Sequence, residues 1–362
     1  MAQPTRILLL MSHLGGGGAE HVMELLARGL NKEKYEVHLA LVGQADAAAG
    51  SLPAWVNIDA LGAGRARAGA FPLLRLIWKL RPAVVLTGAS EVSFLVLLLR
   101  PLFPPGVAVL VRQTTTVSST MALAIVPRLM RLLYKLLYRH SDRVICQSQA
   151  MAKDLAREAG IGEEQIVVLP NPVDLKGIRA AARAQAEQSD AGPHLLAMGR
   201  LSPEKGFDLL IGALAAVRER FPQADLILAG AGREEAALKS LCCELQLEKA
   251  VRFAGHVRNP YALFSGATLF VLPSRHEGMP NALLEAAAAE LPLVATPASG
   301  GVVDFRRGRS GAWLAPEISA DALAATIMVA LETIGPGERF RQPLSPSAVE
   351  AVSHVAREAG QE

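Results

Sequence analysis

Two glutamates eight residues apart, Glu277 and Glu285, stand in the run Pro273-Ser274-Arg275-His276-Glu277-Gly278-Met279-Pro280-Asn281-Ala282-Leu283-Leu284-Glu285-Ala286. The apolar run 269–272 before it predicts a buried strand, and Pro280 suits the first turn of a following helix. Unpaired amides where such a helix starts hold an anion such as phosphate. Gly278 lets a ligand reach the backbone there. Two carboxylates beside an anion-binding amide cluster work against stability, but they suit the hydroxyls of a sugar and a ribose. The plainer alternative is a pair of ordinary charged positions at a helix start.

A second cluster is Gly199-Arg200-Leu201-Ser202-Pro203-Glu204-Lys205-Gly206, which follows an expected strand ending at Met198. Ser202 is expected to cap a helix started by Pro203, with Arg200 and Lys205 as two fixed cations near its amino end. Cations at a helix terminus make a diphosphate site; a capped surface turn with solvated charges fits as well. Gly230 and Gly232, after the next strand, gain meaning only beside this loop. The third cluster is Ser12-His13-Leu14-Gly15-Gly16-Gly17-Gly18-Ala19-Glu20. Four glycines let backbone approach a ligand, and their spacing is not the dinucleotide fingerprint. A tight turn needs fewer.

These loops require strands to carry them. In the first half, apolar runs at 7–11, 37–42, 84–87, 108–112, 143–147 and 166–169 read as strands, with helical patterns such as 19–30, 72–80 and 92–99 between them. Pro170-Asn171-Pro172-Val173-Asp174 breaks the series, and an Ala/Gln/Glu-rich stretch to about Gly192 reads as a connector. A second series follows at 194–198, 225–229, 251–254, 269–272 and 292–295. Alternation of this kind builds parallel sheets covered on both faces. The expected organisation is a doubly wound α/β domain at 1–172, a linker at 173–192, a second such domain at 193–344, and a C-terminal helix within 345–362 that packs back on the first domain.

Composition agrees with this class. Hydrophobic residues make up 51% of the 362 and aromatics 5%, the balance of Ala- and Leu-rich helices over parallel sheets rather than of a disordered chain. Of the three cysteines, Cys242 and Cys243 are adjacent, which suits neither one tetrahedral metal nor a disulfide framework; buried thiols in a reducing cytoplasm are expected. The apolar run near the start is too short for a signal peptide, and 92–99 is too short to span a bilayer.

Taken together, these residues resemble the retaining family 4 glycosyltransferases of the GT-B fold, of the type that builds bacterial envelope glycans. The resemblance covers nearly the whole chain. It rests on the early glycine loop, Gly199-Arg200 with Lys205-Gly206, Phe253-Ala254-Gly255, the stretch from Ser274 through Glu285, the 170–174 sequence, and Thr296 with Gly300-Gly301. It implies two Rossmann-like domains facing a central cleft, and a nucleotide-sugar, of UDP type, as co-substrate with no cofactor and no metal. Arg200 and Lys205 would hold the donor diphosphate, and backbone at Gly199, Gly230, Gly278, Met279, Pro280 and Asn281 would meet the donor. Glu277 would bind sugar hydroxyls, Glu285 the ribose diol, Arg252 and Phe253 the base, and Gly16 and Gly17 would approach from the first domain. The catalytic residues would be Glu277, Arg200 and Lys205. One departure is notable. Many relatives have a histidine in the loop that here reads Val111-Arg112-Gln113-Thr114-Thr115-Thr116, so Gln113, a threonine or His13 is expected to take its place.

Charge points to the partner. Residues 61–157 hold 14 Lys and Arg against 3 Asp and Glu. Within 121–140, Arg128, Arg131, Lys135 and Arg139 at steps of three, four and four form one helical stripe flanked by leucines, with Tyr134 and Tyr138 opposite. Such a helix either packs on a core with a solvated stripe or lies in an anionic membrane surface. The basic excess favours the membrane, and with it a lipid-linked or lipopolysaccharide acceptor and a peripheral position on the inner face of the cytoplasmic membrane. Nucleic acid is disfavoured, because no stacking aromatics interleave the cations. A nucleotide-sugar epimerase of the same architecture and an inactive nucleotide-sugar-binding subunit are the competing readings.

Overall fold

The computed structural model describes residues 4–14, 17–43, 52–63, 66–124, 126–184, 192–257, 259–335, 338–340 and Ser353. The chain divides into two compact units, Met1–Pro172 with Ser347–Glu362, and Val173–Pro346. Of the expected C-terminal helix only Ser353 lies within the described residues; its carbonyl accepts a hydrogen bond from Tyr35 Oη at 3.4 Å.

The first unit is a seven-stranded sheet ordered β3-β2-β1-β4-β5-β6-β7, every pairing parallel. Its strands are β1 Thr5–Met11, β2 Tyr35–Leu41, β3 Asn57–Ala60, β4 Val84–Thr87, β5 Ala108–Arg112, β6 Arg143–Cys146 and β7 Ile166–Val168. Among the described residues six helices flank it: α1 Gly18–Gly29, α2 Ala70–Leu80, α3 Ser90–Leu99, α4 Val117–Leu123, α5 Pro127–Leu137 and α6 Gln149–Ala159. Side chains alternate along each strand, so Ile7, Leu9 and Met11 of β1 meet α1, while Leu8 and Leu10 meet the layer of α2 to α6. Both faces are covered, so both alternate sets are apolar.

The second unit is a six-stranded parallel sheet ordered β10-β9-β8-β11-β12-β13. Its strands are β8 His194–Met198, β9 Asp225–Ala229, β10 Val251–Gly255, β11 Leu269–Leu272, β12 Leu293–Ala295 and β13 Ala312–Leu314. One face is covered by α8 Phe207–Arg220, α9 Glu235–Glu244 and α12 Ala320–Thr333, the other by α7 Leu175–Ala184, α10 Asn281–Ala288 and α11 Gly300–Arg306. Both units are Rossmann-like parallel α/β folds.

Four expectations change. The stretch expected as a linker at 173–192 folds in part as α7, whose Ile178 is fully buried in the second core. Two edge strands, β3 and β13, were not expected; β3 is a mostly exposed Asn-Ile-Asp-Ala with no apolar run to reveal it. The single helix expected over 121–140 is broken. α4 ends at Leu123, Pro127 opens α5, and a 3₁₀ turn Tyr138–His140 follows, so Arg139 stands beyond the α-helix. Finally, Cys146 and Cys242 are buried as expected, but Cys243 is exposed.

Candidate functional site

In the second sheet the chain runs outward from β8 to β9 and β10, then returns to β11 beside β8 and continues the other way. The strand order therefore reverses between β8 and β11, and at such a switch point the connections diverge and leave a crevice at the carboxyl ends. The loops that leave those two ends are 199–206 and 273–280, the two clusters singled out by residue type. Backbone pairing draws them together: the amides of Arg275 and His276 donate to the Glu204 carbonyl at 2.8 and 3.4 Å. Gly206 has φ +65°, and a Cβ there would lie 2.1 Å from the Pro273 carbonyl oxygen. Gly230 has φ +143°, and its Cβ would lie 1.8 Å from the Gly199 carbonyl oxygen. No side chain fits at either position, so these glycines set how closely the strand-end loops stack.

Glu277 is the centre of this cluster. Its Oε1 accepts from Lys205 Nζ and from Ser274 Oγ, each at 2.7 Å, and the carboxylate is 9% exposed. Among the described residues Oε2 has no hydrogen bond. Ser274 is itself fixed: it is buried, and its carbonyl accepts from the buried Thr296 Oγ1. Beside it Arg275 binds Asp208 in a two-pronged pair at 2.6 and 2.7 Å and donates to the Pro203 carbonyl at 2.9 Å. Arg275 holds the Asp208 carboxyl below its ordinary range. Burial acts to raise Glu204, but hydrogen bonds from Ser202 and its own amide, with the charges of Arg200 and Lys205, hold it low. Both cations are thus felt at one carboxylate. Arg200 is exposed and makes no ion pair among the described residues.

Ser202 does not cap a helix as expected. Its Oγ turns to Glu204 Oε1 at 2.6 Å; Pro203–Lys205 is a 3₁₀ turn, and α8 begins only at Phe207, after the left-handed Gly206. Pro280 precedes the first helical residue of α10, Asn281, rather than lying in its first turn. The Gly278 carbonyl accepts from Ser299 Oγ at 2.8 Å, which joins this loop to the end of β12, and Met279 packs against the α10 core.

Glu285 lies in the second turn of α10. Burial raises its carboxyl to about 7, against a hydrogen bond from Tyr261 that acts to lower it. Phe253 and Arg252 separate on β10. Phe253 packs on the α8–α9 face, with Lys239 Nζ 5.5 Å from its ring centre, whereas α10 covers the opposite face; Arg252 is exposed. The structure therefore brings together Gly199, Arg200, Lys205, Gly230, Glu277, Gly278 and the start of α10, and does not bring the Phe253 ring to the α10 side.

The first sheet also reverses, between β1 and β4. Gly16 lies outside the described residues. Gly17 precedes α1 in an extended conformation. Ser12 Oγ donates to Glu91 Oε1 at 2.8 Å across the switch point, and His13 Nδ1 is 3.7 Å from Glu20 Oε1. Gln113 does not take the place of a strand-end histidine. It is fully buried, its Nε2 donating to the Thr115 carbonyl at 2.9 Å and the Tyr134 hydroxyl at 3.3 Å, while its Oε1 accepts from Tyr138 at 2.8 Å. Thr116 caps α4 and Thr115 pairs with Thr120 at 3.1 Å. On α5, Arg128, Arg131 and Lys135 are exposed and Arg131 pairs with Glu158 at 2.9 Å; Leu129, Leu132 and Leu136 are exposed among them. Arg139 is exposed in the turn beyond.

Three residues were given no role from the sequence. Ser274 and Tyr261 contact the two glutamates, and Arg112 ends β5 almost fully buried. Arg112 Nη2 donates to Asn171 Oδ1 at 2.6 Å, whereas Nη1 is buried with no hydrogen bond. Desolvation lowers its guanidinium to about 10, and the charge of Glu20 acts to raise it. An Arg as the last residue of a buried strand was the available signal. Among the described residues no three His, Cys, Asp or Glu are grouped to hold a metal ion.

Known proteins share this architecture. Residues 16–176 match the model of Glycosyltransferase Family 4, and residues 178–342 match that of the group 1 glycosyl transferases. The lipopolysaccharide core biosynthesis glycosyltransferase LpsE of Rhizobium meliloti is 31% identical over 175 residues, 48% of this chain and 49% of its own length. A glycogen synthase of Mycobacterium tuberculosis is 34% identical over 206 residues, 56% of this chain and 49% of its own. The chain thus spans about half the length of the curated relatives it matches. In structure, Anabaena HepE in complex with UDP superposes with a TM-score of 0.75 over 99% of this chain and 97% of that one, at 18% identity, a likeness of fold.

Proposed function

The chain belongs to the GT-B glycosyltransferases, and from that premise we propose that it moves a hexosyl or N-acetylhexosaminyl group from a UDP-sugar to a lipid-linked or lipopolysaccharide-type glycan, with retention of configuration. The observation that carries this reading is the junction of Lys205, Ser274 and Glu277 at the switch point, with Arg200 beside it. Arg200 and Lys205 bind the diphosphate and neutralise the charge that develops as the nucleotide departs, which needs no metal ion. The amides around Gly278 and the start of α10 add donors for phosphate. Glu277, fixed through Oε1, offers Oε2 to a sugar hydroxyl near the reacting carbon, and Glu285 takes the ribose diol. Gly199 and Gly230 let the donor lie close to the backbone, and Arg252 borders the base.

For the acceptor, the exposed Arg128, Arg131 and Lys135 among exposed leucines on α5 favour an anionic membrane surface, where cations meet lipid phosphate and leucines meet acyl chains. The lipopolysaccharide role named for LpsE supports an acceptor of that kind. Among the described residues no helix is long and apolar enough to cross a membrane.

The test is incubation of the pure chain with a panel of nucleotide sugars and membrane lipid extract. Sugar transferred to lipid, with the donor's anomeric configuration retained in the product as read from the H1–H2 coupling, is the expected result. Transfer to soluble glucan overturns the acceptor; an epimerised donor, or binding without turnover, overturns the reaction.

A further inference from the structure

The membrane reading above rests on α5, but α5 is only one strip of a wider helical layer. α2, α3 and α5 all bury their inner faces in one core cluster on the same side of the first sheet, through Leu73, Ile77, Val92, Val96 and Tyr134 among others. Their outer faces therefore belong to one surface. On that surface Phe71 and Trp78 of α2 are 74% and 49% exposed, and Leu98 and Leu102 beside them are 65% and 57% exposed. Trp78 and Leu102 are in contact, because the indole Nε1 donates to the Leu102 carbonyl at 2.9 Å. With its only donor satisfied within the chain, the indole presents hydrocarbon at no further desolvation cost. Interleaved with these are exposed cations: Arg75 and Lys79 on α2, and Arg81 at its end, 5.9 Å from the Trp78 ring centre. Neither α2 nor α5 contains an acidic residue.

We propose that α2 and the Leu98–Leu102 turn form a second membrane contact of this chain, with Trp78 and Phe71 entering the headgroup region of an anionic bilayer while Arg75 and Lys79 bind lipid phosphate. This extends the membrane reading of α5 and depends on it. A protein partner of ordinary composition fits the surface less well, since it would have to neutralise every cation while covering four apolar side chains. A bilayer with anionic lipid supplies both chemistries everywhere.

The experiment uses the full chain with Trp55 and Trp313 replaced by Phe, which leaves Trp78 as its only indole. It is mixed with vesicles of phosphatidylcholine with or without phosphatidylglycerol. With the anionic lipid, Trp78 emission should shift to the blue and be quenched by brominated acyl chains. A chain that sediments with the vesicles but whose Trp78 emission does not change overturns the α2 contact and leaves α5 standing. A chain that does not sediment overturns the membrane reading itself. The second measurement needs no indole. Phe71→Ser combined with Trp78→Ala should weaken vesicle affinity about tenfold. Unchanged affinity, or a dimer that the double substitution dissolves, assigns the patch elsewhere and overturns the proposal.

Discussion

The two switch points differ in how completely their charges are paired. In the second unit, Lys205, Ser274 and Glu277 meet at one oxygen, Arg275 grips Asp208 with both arms, and Thr296 and Ser299 tie the adjacent loops. In the first unit Ser12 holds Glu91 at 2.8 Å, but the charged side chains are less completely paired. His13 and Glu20 are 3.7 Å apart, and Arg112 keeps one buried arm without a hydrogen bond. A buried cation whose one hydrogen-bond partner is neutral works against stability, because desolvating it costs several kcal/mol, which the more distant charge of Glu20 offsets only in part. The second unit's strand-end cluster is thus held by its own side chains, whereas the first unit holds charge that its own residues leave incompletely answered.

The sharpest way to break this contrast is to remove the preformed centre. If Lys205 neutralises the departing diphosphate and Glu277 positions both Lys205 and the sugar, as proposed, Glu277→Gln and Lys205→Ala should each lower transfer about 10²–10³-fold, measured as turnover at saturating donor. Wild-type turnover in either variant would end the catalytic assignment. Ser274→Ala should cost less, about 10- to 100-fold in turnover, in line with about 1.5–3 kcal/mol for a hydrogen bond to a charged group. Its donor KM should stay near wild type and Ser274→Thr should restore activity. A loss confined to KM would mean that Ser274 only shapes the pocket.

How far these features can be read from sequence follows the same contrast. The central strands β4, β5, β8, β9 and β11 are legible to the residue, since a strand buried on both faces is a bare apolar run between polar ends. Edge strands such as β3 lack that signature, because only part of each side chain needs cover. α7 reads as a polar connector because, among its described side chains, Ile178 alone is fully buried, amid alanines and cations. The loop at 273–280 and the loop at 199–206 are each legible by residue type, but the Lys205–Glu277 pair joins residues 72 apart, and only the parallel pairing of β8 with β11 makes it. Gln113 shows the limit most clearly. The resemblance made it one candidate for the place of the missing histidine, while the two tyrosines that bury it come from α5 and the turn beyond, which no local pattern reveals.

Glu285 sharpens the contrast by pH. Its carboxyl is raised to about 7 from 4.5, so the folded chain holds a proton that the unfolded chain releases. Stability should therefore fall as pH rises from about 4.5 to about 7, by up to about 3 kcal/mol at about 1.4 kcal/mol per pH unit. Glu285→Gln should remove this slope in thermal unfolding. If the ionised form receives the ribose diol, UDP affinity should instead rise through the same window, and the variant should bind about tenfold more weakly above it with no such rise. Parallel slopes for stability and binding would exclude Glu285 from the donor site.

The smallest effect probes the unpaired side. Arg128→Gln and Lys135→Gln should each weaken binding to phosphatidylglycerol vesicles about fivefold, the consequence of about 1 kcal/mol per cation near an anionic surface. The effect should disappear at high salt, where the Debye length shrinks to about 3 Å. Arg131 provides the internal comparison. Its pairing with Glu158 at 2.9 Å already spends part of its charge, so Arg131→Gln should matter less on vesicles. None of the three should alter UDP affinity in solution, because the residues proposed to hold UDP lie in the second unit. A cation on α5 whose loss lowers UDP affinity without lipid would mean that the two halves are coupled by the protein itself, and the contrast between a prebuilt and an unanswered switch point would fail.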